Sequence, residues 1–100
     1  MFGWEVSEIA KIVSGKLSGP KQYCVNSVLI DSRSSASQAN SIFVALKGPN
    51  HNGHKYIQDL INKGVKSFIV EEKLSNTPSD ISIIRVNNCL HALQELAAFH

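Results

Sequence analysis

The period of the hydrophobic positions changes several times along this chain, and each change marks an element. In VSEIAKIV, Ile9, Ala10, Ile12 and Val13 cluster at helical spacing, which predicts a short amphipathic helix capped by Ser7 and stopped at Gly15. Lys16 and Leu17 extend briefly before the turn residues Ser18, Gly19 and Pro20. The β-branched run that follows predicts a strand from Val25 to Asp31. Ser32 to Ser41 is a connection of small and polar residues, and SIFVALK after it has the near-continuous apolar character of a strand buried on both faces. Beyond the polar break GPNHNG, Tyr56, Ile57, Leu60 and Ile61 share a helical face that ends at Gly64. VKSFIVEE and ISIIRV predict two further strands, separated by a surface loop from Asn76 to Asp80. Asn87 or Asn88 caps a last helix, in which Leu90, Leu93, Leu96 and Ala97 recur at helical spacing. That pattern reaches His100 without a glycine, proline or polar tail, and so predicts a chain that continues downstream.

Strands alternating with helices predict an α/β fold, a mixed β-sheet flanked by helices, with antiparallel pairing placed around the Ser32 to Ser41 connection. Composition fits one domain: 100 residues, 43% hydrophobic and 18% charged, supply one modest core and no second. Residues 1–86 make up that domain, and 87–100 form the final helix leading out of it. A formal charge of only +2, with scattered basic residues, argues against a nucleic-acid partner and suits a small anionic ligand. Cys24 and Cys89 are isolated and far apart, so they read as two buried, reduced thiols rather than a disulfide or zinc framework. The amino terminus reads as a folded helix rather than a signal peptide, and no apolar run approaches a membrane span.

Chemistry concentrates in two segments. His51 and His54 have a spacing that suits a shared ion, but no nearby cysteine or carboxylate completes the set, so no metal is expected. Ser32 has no base and orienting acid arranged with it, and neither a nucleophile elbow nor a phosphate-binding glycine loop is present; no catalytic residue and no cofactor is expected here. A ligand cradle fits better. Gly48 follows a buried strand and Gly53 precedes a helix, so backbone N–H groups between them suit an anion, with Asn50, His51, Asn52 and His54 adding donors and acceptors. A plain strand-to-helix turn accounts for the same glycines and asparagines. In IDSRSS, Ile30 and Asp31 end a strand, Ser32 offers a hydroxyl and Arg33 a planar fork for phosphate or carboxylate. The other reading is that Asp31 pairs with Arg33 or a neighbour and merely fixes the turn.

IDSRSS, SIFVALKG, NGHKYI and GVKSFIV, in that order and spacing, resemble the amino-terminal domain of the Mur ligases of peptidoglycan synthesis over nearly the whole chain. ALKG followed by N-G-H-x-Y-I is most similar to the D-alanyl-D-alanine-adding branch, the MurF type, with the amino-acid-adding MurE type second. The resemblance implies the MurE/MurF amino-terminal-domain fold and a domain that holds the uridine diphosphate part of a UDP-N-acetylmuramoyl-peptide. It implies a cytoplasmic parent ligase in which an absent central domain binds ATP with Mg and an absent carboxy-terminal domain receives the incoming amino acid or dipeptide. Pyridoxal phosphate enters only where the parent chain is fused to an alanine racemase. By the same resemblance Ile30, Ser32, Gly48, Pro49, Asn50 and His51 lie on the nucleotide, Arg33 contacts phosphate or braces the loop, and Asn52, Gly53 and His54 complete the motif. The family often has aspartate where this chain has Asn52. A non-catalytic protein-interaction module is the alternative of a different class, and it is separated from the first by selectivity for uridine over adenosine nucleotides.

Overall fold

The structure, a computed structural model of the chain, describes residues 4–25, 27–29, 41–48, 51–72, 74 and 77–99. The elements run β1 (Trp4–Glu5), α1 (Val6–Ile12), β2 (Lys16–Ser18), β3 (Cys24–Val25), β4 (Ser27–Leu29), β5 (Ser41–Val44), β6 (Lys47–Gly48) and β7 (His51–Asn52). A 3-10 turn (Gly53–Tyr56) leads into α2 (Ile57–Asn62), followed by β8 (Ser67–Val70), β9 (Ser82–Arg85) and α3 (Cys89–Phe99).

The main sheet has the order β2-β9-β8-β5-β4. Strands β4, β5, β8 and β9 are parallel, and β2 pairs antiparallel with β9. The mixed sheet expected from the sequence is therefore present, but its antiparallel edge is not where the sequence reading placed it. Ser27 to Leu29 lie in parallel register with Ser41 to Phe43, whereas Lys16 to Ser18, read only as a brief extension, supply the reversed strand. The run read as one strand from Val25 to Asp31 is broken by a change of partner. Cys24 and Val25 pair with β1, and Ser27 to Leu29 pair with β5.

Successive strand residues face opposite ways, and both faces of the sheet are covered. Ile42, Val44, Ile69 and Ile84 pack with Val6, Ile9 and Val13 around α1 and with Cys89, Ala92 and Leu96 of α3. Phe43, Ala45, Phe68, Val70 and Ile83 pack on the other face with Ile57 and Leu60 of α2. Burial on both sides explains why SIFV and SFIV read as unbroken apolar runs. Phe43 and Phe68 meet edge-to-face, with ring centroids 6.2 Å apart and planes at 70°.

Three helix-end expectations change. Glu5, not Ser7, is the cap of α1: Ser7 lies inside the helix, and the Glu5 N–H donates to Glu8 Oε1 at 3.1 Å. The left-handed residue after α1 is Ser14, at φ 55°, rather than Gly15. In α3 the buried stripe is Cys89, Ala92 and Leu96; Leu90 is exposed because it stands about 100° round the helix from Cys89.

Gly15 is required for a different reason. A Cβ there would stand 2.4 Å from Ile84 Cγ2 and 2.9 Å from Val86 Cγ1, and both side chains are locked in the core. Gly15→Ala is therefore expected to lower the free energy of unfolding by about 1–3 kcal/mol, the usual cost of overpacking. A urea midpoint equal to that of the wild type would mean that β9 shifts to admit the methyl group.

Candidate functional site

The four parallel strands end on one edge, at Leu29, Val44, Val70 and Arg85, the edge from which α/β sheets characteristically bind ligands. The apolar run SIFVALK does not continue across it as one strand. It stops at Val44, and Lys47 and Gly48 turn back on Asn52 and His51 as an antiparallel hairpin, β6–β7. The Ala45 N–H donates to Ile69 O at 2.9 Å, and the Gly53 N–H donates to Leu46 O at 2.7 Å, closing the base of the hairpin. Gly53 is needed there for close approach: a Cβ would lie 3.0 Å from both Ala45 Cα and Leu46 N.

His54 turns inward rather than toward the loop. It is 9% exposed, and its Nε2 accepts the backbone N–H groups of Glu71 at 3.0 Å and Glu72 at 3.3 Å. An acceptor Nε2 requires the neutral ring with its proton on Nδ1, which lies 4.0 Å from Glu72 Oε2. Burial pushes the His54 ring below its ordinary value of 6.5, against the pull of Glu72 and Glu71. The Lys47 ammonium donates to Glu72 Oε2 at 2.9 Å, and that bond raises the lysine above its ordinary value. Both partners of this pair are about half-exposed, so its role is to orient the hairpin more than to stabilise the fold.

Glu71 reaches the other way. Its Oε2 accepts the Cys89 N–H at 2.8 Å at the start of α3, where a carboxylate complements the helix dipole. Asn88 Oδ1 accepts the His91 N–H at 2.9 Å, making Asn88 the cap. Cys89 itself is buried, and burial with the Glu71 charge pushes its thiol up to about 12, so it is an inert core thiol. Cys24, expected to be buried, is exposed, because it sits on the outer side of the short β1–β3 pair while Val25 faces the core.

Two hollows flank Arg85. One, of about 380 Å³, is lined by Leu74, Ile81, Ile83, Glu72 and Arg85 among others. The other, of about 500 Å³, is lined by Ser14, Lys16, Glu71, Arg85, Val86 and Asn87. Both adjoin the ends of β8 and β9, and the first shares Glu72, the partner of Lys47 in the hairpin.

Of the expected site residues, Ile30, Ser32, Arg33, Pro49 and Asn50 lie outside the described residues. Gly48, His51 and Asn52 sit in the hairpin backbone, Gly53 seals its base and His54 braces it from beneath. Gly53, expected to precede a helix directly, instead opens a 3-10 turn, and α2, of only six residues, starts at Ile57 behind it. Lys47, Glu71 and Glu72 were not singled out from the sequence. Their only signal was a pair of carboxylates closing the apolar strand VKSFIVEE. Among the described residues, no group of three histidine, cysteine, aspartate or glutamate side chains is placed to hold a metal ion.

The UDP-N-acetylmuramoyl-tripeptide--D-alanyl-D-alanine ligase of Bacillus subtilis is 31% identical over 94 residues, covering 92% of this chain and 20% of that protein. The UDP-N-acetylmuramoyl-L-alanyl-D-glutamate--2,6-diaminopimelate ligase of Cytophaga hutchinsonii is 32% identical over 92 residues, covering 90% of this chain and 18% of the other. The chain thus spans about a fifth of the length of the curated relatives it matches. A crystal structure of MurF from Acinetobacter baumannii superposes with a TM-score of 0.83 at 23% identity, over 97% of this chain and 21% of that one, so the fold is shared. The family model described as "Mur ligase family, catalytic domain" matches residues 25–100, and the chain belongs to the Mur ligase family.

Proposed function

We propose that this chain holds the uridine diphosphate end of a UDP-N-acetylmuramoyl-peptide, as the substrate-binding domain of an ATP-dependent ligase that adds D-alanyl-D-alanine in cytoplasmic peptidoglycan synthesis. The observation that carries this reading is the adjacency of β4 and β5. They are parallel neighbours, so the end of β4 at Leu29 and the end of β5 at Val44, just before the hairpin that begins at Lys47, lie at one edge of the sheet. Residues 1–86 form the nucleotide-holding domain, and 87–100 lead toward the rest of the ligase. In the full enzyme a peptide carboxylate would attack the γ-phosphoryl group of ATP, releasing ADP and giving an acyl phosphate, from which the amine of D-alanyl-D-alanine would displace inorganic phosphate to form the amide. ATP and magnesium are assigned to the rest of the ligase and no chemical step to this chain, in which the sequence has no phosphate-binding glycine loop.

A diaminopimelate-adding ligase is the second reading, favoured by the match to the Cytophaga hutchinsonii relative. Both readings share the nucleotide end of the substrate. The test is an NMR titration of the chain with UDP and, separately, with ADP, which reads binding even at millimolar affinity, about −4 kcal/mol. UDP-selective shifts are expected at Ser32, Arg33 and Asn50 to His54, and Arg33→Ala is expected to weaken UDP binding by about 1–3 kcal/mol, as for a lost charged hydrogen bond. A folded chain that responds equally to UDP and ADP refutes the nucleotide reading in favour of an interaction module; unchanged affinity in a folded Arg33→Ala removes Arg33 from the site.

A further inference from the structure

We infer that neutral His54, accepting at Nε2, is the positioning residue that holds the nucleotide-facing hairpin to the end of β8, so that protonating it loosens the hold on the uridine diphosphate group. This rests on the nucleotide reading proposed above. Two backbone donors converge on one nitrogen: the N–H groups of Glu71 and Glu72 reach Nε2 at 3.0 and 3.3 Å. An imidazolium would present an N–H to both of them, so a single proton removes both bonds. The ring follows directly on Gly53, whose N–H is bonded to Leu46 O at 2.7 Å and whose Cα packs on Ala45 and Leu46 with no room for a methyl group. The base of the hairpin therefore has little freedom to absorb a displacement of the ring.

Among the described residues, charged groups that face His54 include Glu71 and Glu72 from the end of β8 and Lys47 from β6. The two carboxylates favour the imidazolium, but burial, with Lys47 acting in the same direction, outweighs them, so the folded ring titrates below 6.5. Below that value the unfolded chain binds a proton that the folded chain does not. The tie is complete above about pH 6.5 and is lost as the pH falls further, through the lowered value of the folded ring.

The experiment follows the ring and backbone amides of the whole chain by NMR from about pH 7.5 downward until the ring has taken up its proton, with UDP titrated at each end. In the wild type the ring is expected to carry its proton on Nδ1. The amides of Lys47, Gly48, His51 and Asn52 should follow its titration, and the UDP dissociation constant should rise about fivefold, the worth of one ordinary hydrogen bond. Glutamine can place a carbonyl acceptor near Nε2 and does not titrate, so His54→Gln should flatten both pH responses. A ring protonated on Nε2 at the higher pH, hairpin amides that ignore the ring, or an undiminished pH slope in a folded His54→Gln each overturn the inference. If the hairpin follows the ring while the wild type shows no UDP response at either pH, the nucleotide reading fails and the mechanical coupling stands.

Discussion

Phe68→Ala is expected to lower the free energy of unfolding by about 3–5 kcal/mol, the range for removing a buried aromatic ring from a core. Phe68 is fully buried on β8, with parallel partners on both sides: it lies opposite Phe43 of β5 and Ile83 of β9. Its ring sits edge-to-face with Phe43 and packs in the cluster that includes Ile57 and Leu60. A strand hydrogen-bonded on both edges cannot move into the cavity, and α2, at six residues, has little other apolar surface with which to fill it. The cost should therefore fall toward the upper part of that range. Urea denaturation should show a lower midpoint with an unchanged slope, since the surface exposed on unfolding is nearly the same. A loss below about 2 kcal/mol would show that α2 collapses onto the sheet, and the α2 face would then be a looser layer than its burial implies.

The two-faced burial that makes this prediction strong was also what made the fold legible. Runs such as SIFV and SFIV, too apolar for a half-exposed strand, require cover on both sides; α2, between them in the chain, supplies one side, and α1 and α3 the other. Strand direction was less accessible. Lys16 to Ser18 is a three-residue edge strand with exposed lysine and serine and a half-buried leucine, and its pattern gives no sign that it pairs antiparallel with β9. Helix ends were also uncertain locally. Ser7 and Gly15 are residue types that favour a start and a stop, but the helix begins two residues earlier on a Glu5–Glu8 pair, and Gly15 is fixed by its distance to Ile84.

The candidate site was legible as a break in pattern and not as a set of roles. GPNHNGH showed where an apolar strand ends, and the hairpin there follows from the same turn chemistry. Which way His54 points is decided by distant residues. His54 lies inside because the end of β8 presents two N–H groups that the strand ladder does not satisfy, and that requirement arises 17 and 18 residues further along the chain. Local sequence carries no trace of such a contact. The same holds for Glu71, whose partner at Cys89 is set by the packing of α3 on the sheet.

Glu71→Ala is expected to cost about 2–4 kcal/mol, combining a lost charge-assisted hydrogen bond of about 1.5–3 with the loss of about 0.3–1 from a negative charge at a helix start. The carboxylate accepts the Cys89 N–H at 2.8 Å, and in its absence that partly buried donor keeps no carboxylate partner. Asn88 caps a different group, the His91 N–H, so it does not substitute. Glu71→Gln keeps an acceptor oxygen but loses the charge, both as a complement to the helix start and as reinforcement of the bond, and should cost about 1–2 kcal/mol. The two variants together separate bonding from charge. Because the Glu71 N–H is also one of the two donors to His54, loosening this residue should reach the hairpin as well as α3. Hydrogen exchange should therefore speed up at the first turn of α3 and at Lys47 to Asn52 in Glu71→Ala, and much less in Glu71→Gln. Faster exchange confined to α3 would mean that His54 holds the hairpin without help from the α3 junction, so the end of β8 would act as two separate clamps.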